Sequence, residues 1–314
     1  MTFLRMTACV ALVAICGCHA RDTRPLIAII VPAEDNPYFK AEADAAAARA
    51  AQLGYRTRVD VHGDDAYRQD NLVDAAIASD AKALILDNAG TDASISAVRR
   101  ASRAGIAVFL MDRQINARGI AKAQIVSDND QGARLVAGEF DRAMHATYPG
   151  KSSYAELIGR ESDTNAQVRT TGFHAVLDKD PALTLAAAQS ANWSQSEAFS
   201  KTETILQAHS DIRGIIAGND TMALGAVAAV KSAGLHGIVI VGFDGSPDAI
   251  AAIKSGEMDA TSLQPAVLIS RMAVDEADVF LRRGFTGKPE IQIIPCDLVT
   301  RLNAGQFINF EKRQ

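Results

Sequence analysis

The sequence predicts an α/β protein made of two doubly wound parallel-sheet lobes. Three observations lead there. The chain has 314 residues, more than one hydrophobic core usually serves. Short aliphatic runs alternate with amphipathic stretches from residue 25 onward, and the alternation comes in two successive series. Hydrophobic residues at 48% and charged residues at 22% are ordinary for a water-soluble globular chain, so each lobe can bury a core. The net charge of −5 is spread through interspersed acids and bases with no basic run, which gives nucleic acid or anionic lipid nothing to hold.

The first 20 residues stand apart as a signal segment. Arg5 gives a positive start, and Met6 to Ile15 form an apolar run too short to span a bilayer. The mature chain is therefore expected to be exported. The run ends in Ile15-Cys16-Gly17-Cys18, which has the form of a lipoprotein-processing box with Cys18 as the lipidated N-terminus; Cys18-His19-Ala20 offers the alternative of cleavage after Ala20. Cys9 and Cys16 are lost either way, and Cys296 is left with no partner except Cys18, so no structural disulfide is expected. The neighbours Ile293, Ile294 and Pro295 favour Cys296 as a buried filler over a reactive thiol.

In the first series, Leu26 to Val31, Arg56 to Val61, Ala83 to Leu86 and Ala107 to Leu110 read as strands, being short aliphatic and β-branched runs bounded by Gly, Asp and Pro. Phe39 to Leu53, Gln69 to Ser79 and Ser94 to Arg103 carry apolar residues at helical spacing, and Gly54 and Gly105 stand where helix ends need positive φ. In the second series, strands are expected near Tyr154 to Ile158, Leu183 to Gln189, Gly214 to Ala217, Ile238 to Gly242 and Ala260 to Leu263. Helices are expected near Ala166 to Leu177, Ser196 to Ala208, Thr221 to Ala233 and Pro247 to Ser255.

Ligands of open parallel sheets gather beyond the carboxyl ends of the strands. The residues there are Glu34, Asn36, Tyr38 and Phe39 after the first strand, and Asp112 and Arg113 after the fourth. Later strands lead into Trp193, Asn219, Phe243 with Asp244, and Gln264. Singly, each has a plainer reading. Asn36 could be a helix N-cap before Pro37, Asp112 and Asp244 turn residues, Asn219 a cap, and Phe39 and Trp193 core. Together they form a set of carboxamides, carboxylates and guanidiniums interleaved with aromatics. Such a set suits a sugar, whose vicinal hydroxyls take paired hydrogen bonds and whose C–H face lies on a ring.

The motifs Asn36-Pro37-Tyr38-Phe39, Met111-Asp112-Arg113-Gln114, Ser127-Asp128-Asn129, Arg169-Thr170-Thr171-Gly172-Phe173, Asn219-Asp220-Thr221-Met222-Ala223-Leu224-Gly225-Ala226 and Val241-Gly242-Phe243-Asp244-Gly245 resemble, in order and spacing, those of the periplasmic ribose-binding protein family. These are the type I solute-binding proteins of sugar ABC transporters, and the resemblance runs from about Pro25 to Arg301. It implies a ligand held between the lobes by Asn36, Asp112, Arg113, Arg169, Asn219, Asp244 and Gln264, clamped by Tyr38, Phe39, Trp193 and Phe243. Tyr38 and Trp193 replace a usual Phe and Glu34 replaces an apolar residue, while Glu161, in the loop before Arg169, could add an acceptor. These departures favour a hydroxyl pattern other than that of ribose.

Two carboxylates against two guanidiniums make the implied site near neutral, which suits an uncharged pentose, hexose or polyol. The resemblance further implies a monomer with no metal, cofactor or catalytic residue, which closes by a three-segment hinge near Ser127, Gln264 and Ile291 to Ile294. It divides the chain into a first lobe of residues 24–127 plus 265–291 and a second of 128–264 plus 292–314. The partner would be an ABC permease, or else a membrane sensor or chemoreceptor to which the bound sugar is presented. A glycoside hydrolase is the weaker rival, because guanidiniums beside Asp112 and Asp244 would lower their pKa values. A dinucleotide-binding enzyme lacks its glycine fingerprint, since Pro32-Ala33-Glu34-Asp35 follows the first strand.

Overall fold

A computed structural model describes residues 22–33 and 36–313. The signal segment with Cys18, and also Glu34, lie outside the described residues. The first series runs β1 (Leu26–Val31), α1 (Pro37–Gln52), β2 (Arg56–Val61), α2 (Ala66–Ala78), β3 (Ala83–Leu86), α3 (Ile95–Arg103), β4 (Ala107–Met111) and β5 (Ala123–Ser127). The second opens with α4 (Asn129–Thr147), β6 (Ser152–Ile158), α5 (Thr164–Leu177), β7 (Leu183–Ser190) and α6 (Gln195–Ala208). It continues with β8 (Ile212–Ala217), α7 (Asp220–Ser232), β9 (Val239–Asp244), α8 (Pro247–Ser255) and β10 (Ala260–Leu263). The chain ends with α9 (Ala266–Arg283), β11 (Ile291–Ile294), β12 (Asp297–Thr300) and a hairpin of β13 (Phe307–Ile308) and β14 (Glu311–Lys312).

The strands build two six-stranded sheets, ordered β11-β5-β4-β3-β1-β2 and β12-β10-β9-β8-β6-β7. All pairings in both are parallel except β10 with β12. The central strands are buried on both faces, which is why β1, β3 and β4 consist almost wholly of aliphatic residues. Helices close each face. Ile269, Ala273, Val274 and Ala277 of α9 pack with Ile27, Phe109 and Ile125 of the first sheet, and Phe140 and Met144 of α4 pack with Val241 and Phe243 of the second.

Helices α4 and α9 and strands β5 and β12 lie outside the expected segments. The second residue of β5 is Gln124, whose side chain accepts from Ile115 N at 3.0 Å; this buried polar residue interrupts the aliphatic run. The chain crosses between the sheets after Ser127, after Leu263 and after Ile294. The last crossing falls beyond the expected boundary at 291, because Ile291–Ile294 pair with β5 through Ser127. Nor does the C-terminal stretch stay with the second lobe. Phe307 packs into the second core, but Phe310 packs against Tyr38, Phe39 and Ala266.

Candidate functional site

Every strand that carries an expected ligand residue ends at the cleft between the sheets. Asn36 caps α1, its Oδ1 accepting from Tyr38 N at 3.0 Å, and Asn219 caps α7 by accepting from Met222 N at 2.8 Å. The capping reading and the ligand reading of these residues are therefore compatible. The caps use the carbonyl oxygens, so the amide N–H groups are the donors each residue can turn to a ligand. Asp112 and Asp244 have φ of 58° and 124°, a left-handed conformation seldom adopted by non-glycine residues, at the tips of β4 and β9.

A small, largely filled cavity lies between the lobes. Its first-lobe wall is Asn36, Tyr38, Phe39, Asp112 and Arg113; its second-lobe wall includes Arg169, Trp193, Asn219 and Asp244, with Gln264 at a crossing. The Tyr38 hydroxyl donates to Asp112 Oδ1 at 3.1 Å, and Gln264 Nε2 donates to Asp244 Oδ1 at 2.8 Å. Arg169 donates to Asn129 Oδ1 at 2.7 Å and to the Gly218 carbonyl at 2.8 Å, with Asp244 at 3.4 Å. Its guanidinium lies over the rings of Phe243 (3.9 Å) and Trp193 (5.3 Å). Phe243 thus stands behind Arg169 and does not line the cavity. Glu161 is exposed and away from it, its backbone carbonyl accepting from Gln167.

Two wall residues were not expected, Asp163 and Asn165. Asp163 caps α5 by accepting from Asn165 N at 2.9 Å and lies 2.9 Å from Arg113 Nε of the other lobe. The carboxamide of Asn165 reaches the Asp112 carbonyl at 3.3 Å and accepts from Asn129. Arg160–Asp64 at 3.4 Å and Thr91–Thr164 at 3.2 Å also join the lobes, so the cleft is closed. A cap motif such as Asp163-Thr164-Asn165 signals only a helix start in sequence; its second role needs a partner 50 residues away.

Arg113 is ringed by acids, with Asp64 at 2.7 Å, Asp163 at 2.9 Å, Asp87 at 3.5 Å and Asp112 at 3.9 Å, and its plane lies over Phe39. Burial disfavours its charge, yet these carboxylates hold its pKa above the ordinary value. The expected lowering of Asp112 and Asp244 does not occur. Burial pushes both carboxyls up, and the opposing pull of Arg113 and Arg169 does not offset it. The pKa argument against a glycoside hydrolase therefore fails, and the non-enzymatic reading rests on kinship. Burial likewise lifts Asp220 to about 7, although it accepts from Thr261 Oγ1 and Ser246 N. Trp193, at φ 65° and 7% exposed, is both core and cavity wall, and its Nε1 has no partner among the described residues. A Cβ on Gly159 would come within about 2.0 Å of the indole, so only glycine lets the ring lie there.

Residues 27–284 match the periplasmic binding protein domain family. The chain is 56% identical over 288 residues to a D-apiose import binding protein of Paraburkholderia graminis, covering 92% of this chain and 91% of that one. Identity to a ribose import binding protein of Haemophilus influenzae is 33%, covering 95% and 97%. A solved periplasmic solute-binding protein from Actinobacillus succinogenes with bound D-allose superposes at a TM-score of 0.83, with 29% identity and coverage of 90% and 100%. The chain therefore belongs to the periplasmic binding protein family, as an exported, non-enzymatic solute-binding protein of the sugar ABC importers.

Proposed function

We propose that the chain binds D-apiose, a neutral branched pentose, in the closed cleft and delivers it as a monomer to an ABC permease. One observation carries the chemistry: a cavity between the lobes in which carboxamides, carboxylates and two guanidiniums face a Tyr, a Phe and a Trp. Acids outnumber guanidiniums around Arg113, so an anionic sugar would meet repulsion that a neutral one avoids. The choice of D-apiose among neutral sugars follows from the relative with 56% identity. A thermal-shift panel of D-apiose, D-ribose, D-allose and L-arabinose, followed by calorimetry, tests it, because a ligand of the folded state raises Tm. D-apiose should give the largest shift; a larger one from another sugar, or none from any, overturns the choice.

We also propose that Cys18 is lipidated. Labelled palmitate should enter the wild-type protein and not Cys18→Ser, and equal labelling of both would refute the anchor.

A further inference from the structure

The C-terminal hairpin pairs Phe307 with Lys312 and Ile308 with Glu311, so its turn is Asn309-Phe310. Both turn residues have positive φ, 46° and 59°. Two-residue hairpin turns of this hand favour Asn at the first position and Gly at the second, because a side chain there is strained. Here the second position holds Phe, a choice that works against the local backbone and so points to a use for the ring elsewhere.

The ring is 1% exposed and has left the lobe that supplies the hairpin. Phe307, three residues earlier, belongs to the second core, whereas Phe310 packs against first-lobe residues and Ala266, and Glu311 pairs with Arg271 of α9 at 3.4 Å. Phe310 meets the Tyr38 ring edge to face, with centroids 5.5 Å apart and planes at 89°; Phe39 makes a similar contact with Tyr38 at 5.7 Å. Tyr38 is thereby held between two rings with its hydroxyl on Asp112 in the cavity wall.

We propose that Phe310 is a positioning residue for the ligand site: from the end of the chain it fixes the Tyr38 ring, and with it the Tyr38–Asp112 bond that faces the sugar. The ligand used to test this rests on the D-apiose reading; the role of the ring does not.

Phe310→Gly suits the turn and removes only the ring. In the full mature chain loss of the buried ring should lower the ligand-free Tm, and D-apiose binding in calorimetry should weaken about tenfold, the upper range for one aromatic pair. In a Tyr38→Phe background, where the hydroxyl is already gone, the same change should cost under about threefold. Wild-type affinity in Phe310→Gly, or penalties that simply add, would overturn the proposal. Phe310→Leu, which keeps bulk without the ring edge and so disturbs the ligand-free Tm less, is judged by the same two binding measurements. If wild type gives no heat with D-apiose, the ligand choice fails alone. The fluorine resonance of 3-fluorotyrosine at position 38, assigned by its loss in Tyr38→Phe, then decides. It should move in Phe310→Gly, and an unmoved line overturns the proposal.

Discussion

Asp163→Asn isolates the charge in one contact between the lobes. Asn caps helices as well as Asp does, so the bond to Asn165 N at the start of α5 is kept. The change removes the ion pair with Arg113, 2.9 Å long between side chains 4% and 3% exposed. Two opposite charges about 3 Å apart attract by roughly 5 kcal/mol at an effective dielectric of about 20, and the desolvation that the neutral Asn avoids offsets most of that, so the exchange costs about 1 to 2 kcal/mol. Arg113 keeps Asp64 at 2.7 Å, within its own lobe, and so stays paired when the cleft opens. The cost therefore falls on the closed form alone, and ligand binding is read through closure. The sugar's Kd should rise about 5- to 30-fold, while the ligand-free Tm stays within about 2 °C of wild type. Titration and scanning calorimetry on the two proteins give both numbers. An unchanged Kd with an unchanged Tm would refute the idea that this pair holds the lobes together.

Asp112→Ala and Arg169→Ala should each abolish detectable sugar binding in calorimetry while the protein stays folded, since each leaves buried partners unpaired; normal binding would take that residue out of the site. Trp193 emission should change saturably with sugar, because closure brings the second-lobe indole against first-lobe groups in the cavity wall; a spectrum unmoved at saturation would leave the ring to the core alone. His174 is clamped by Glu156 at 3.0 Å and Asp178 at 2.9 Å, which raises its pKa to about 9. Its contribution is complete below the unfolded value of 6.5 and is lost as pH rises through about 9, so wild type should exceed His174→Leu in Tm by more at pH 6 than at pH 10; a constant difference refutes this.

Aliphatic runs made β1, β3 and β4 legible, because a strand buried on both faces has no room for polar residues. Helix ends were legible at Gly54 and Gly105, whose φ of 88° and 85° few other residues tolerate. Gln124 hid β5, since a polar group buried for its hydrogen bonds looks in sequence like a surface residue. At the cavity, residues just past strand ends were found by position. Asp163 and Asn165 were not, because their roles depend on Arg113 and Asp112 in the other lobe, and no local pattern records a pairing made by closure.

The first sheet receives its covering helix α9 and its edge strand β11 from the far end of the chain. Until residues 266–294 arrive, Phe109 and Ile125 lack the helix that covers them and β5 has an open edge. Pairings this distant in sequence form slowly, and the first lobe cannot mature while synthesis is still under way. The leading half of the chain thus stays without its cover until the tail has nearly been made.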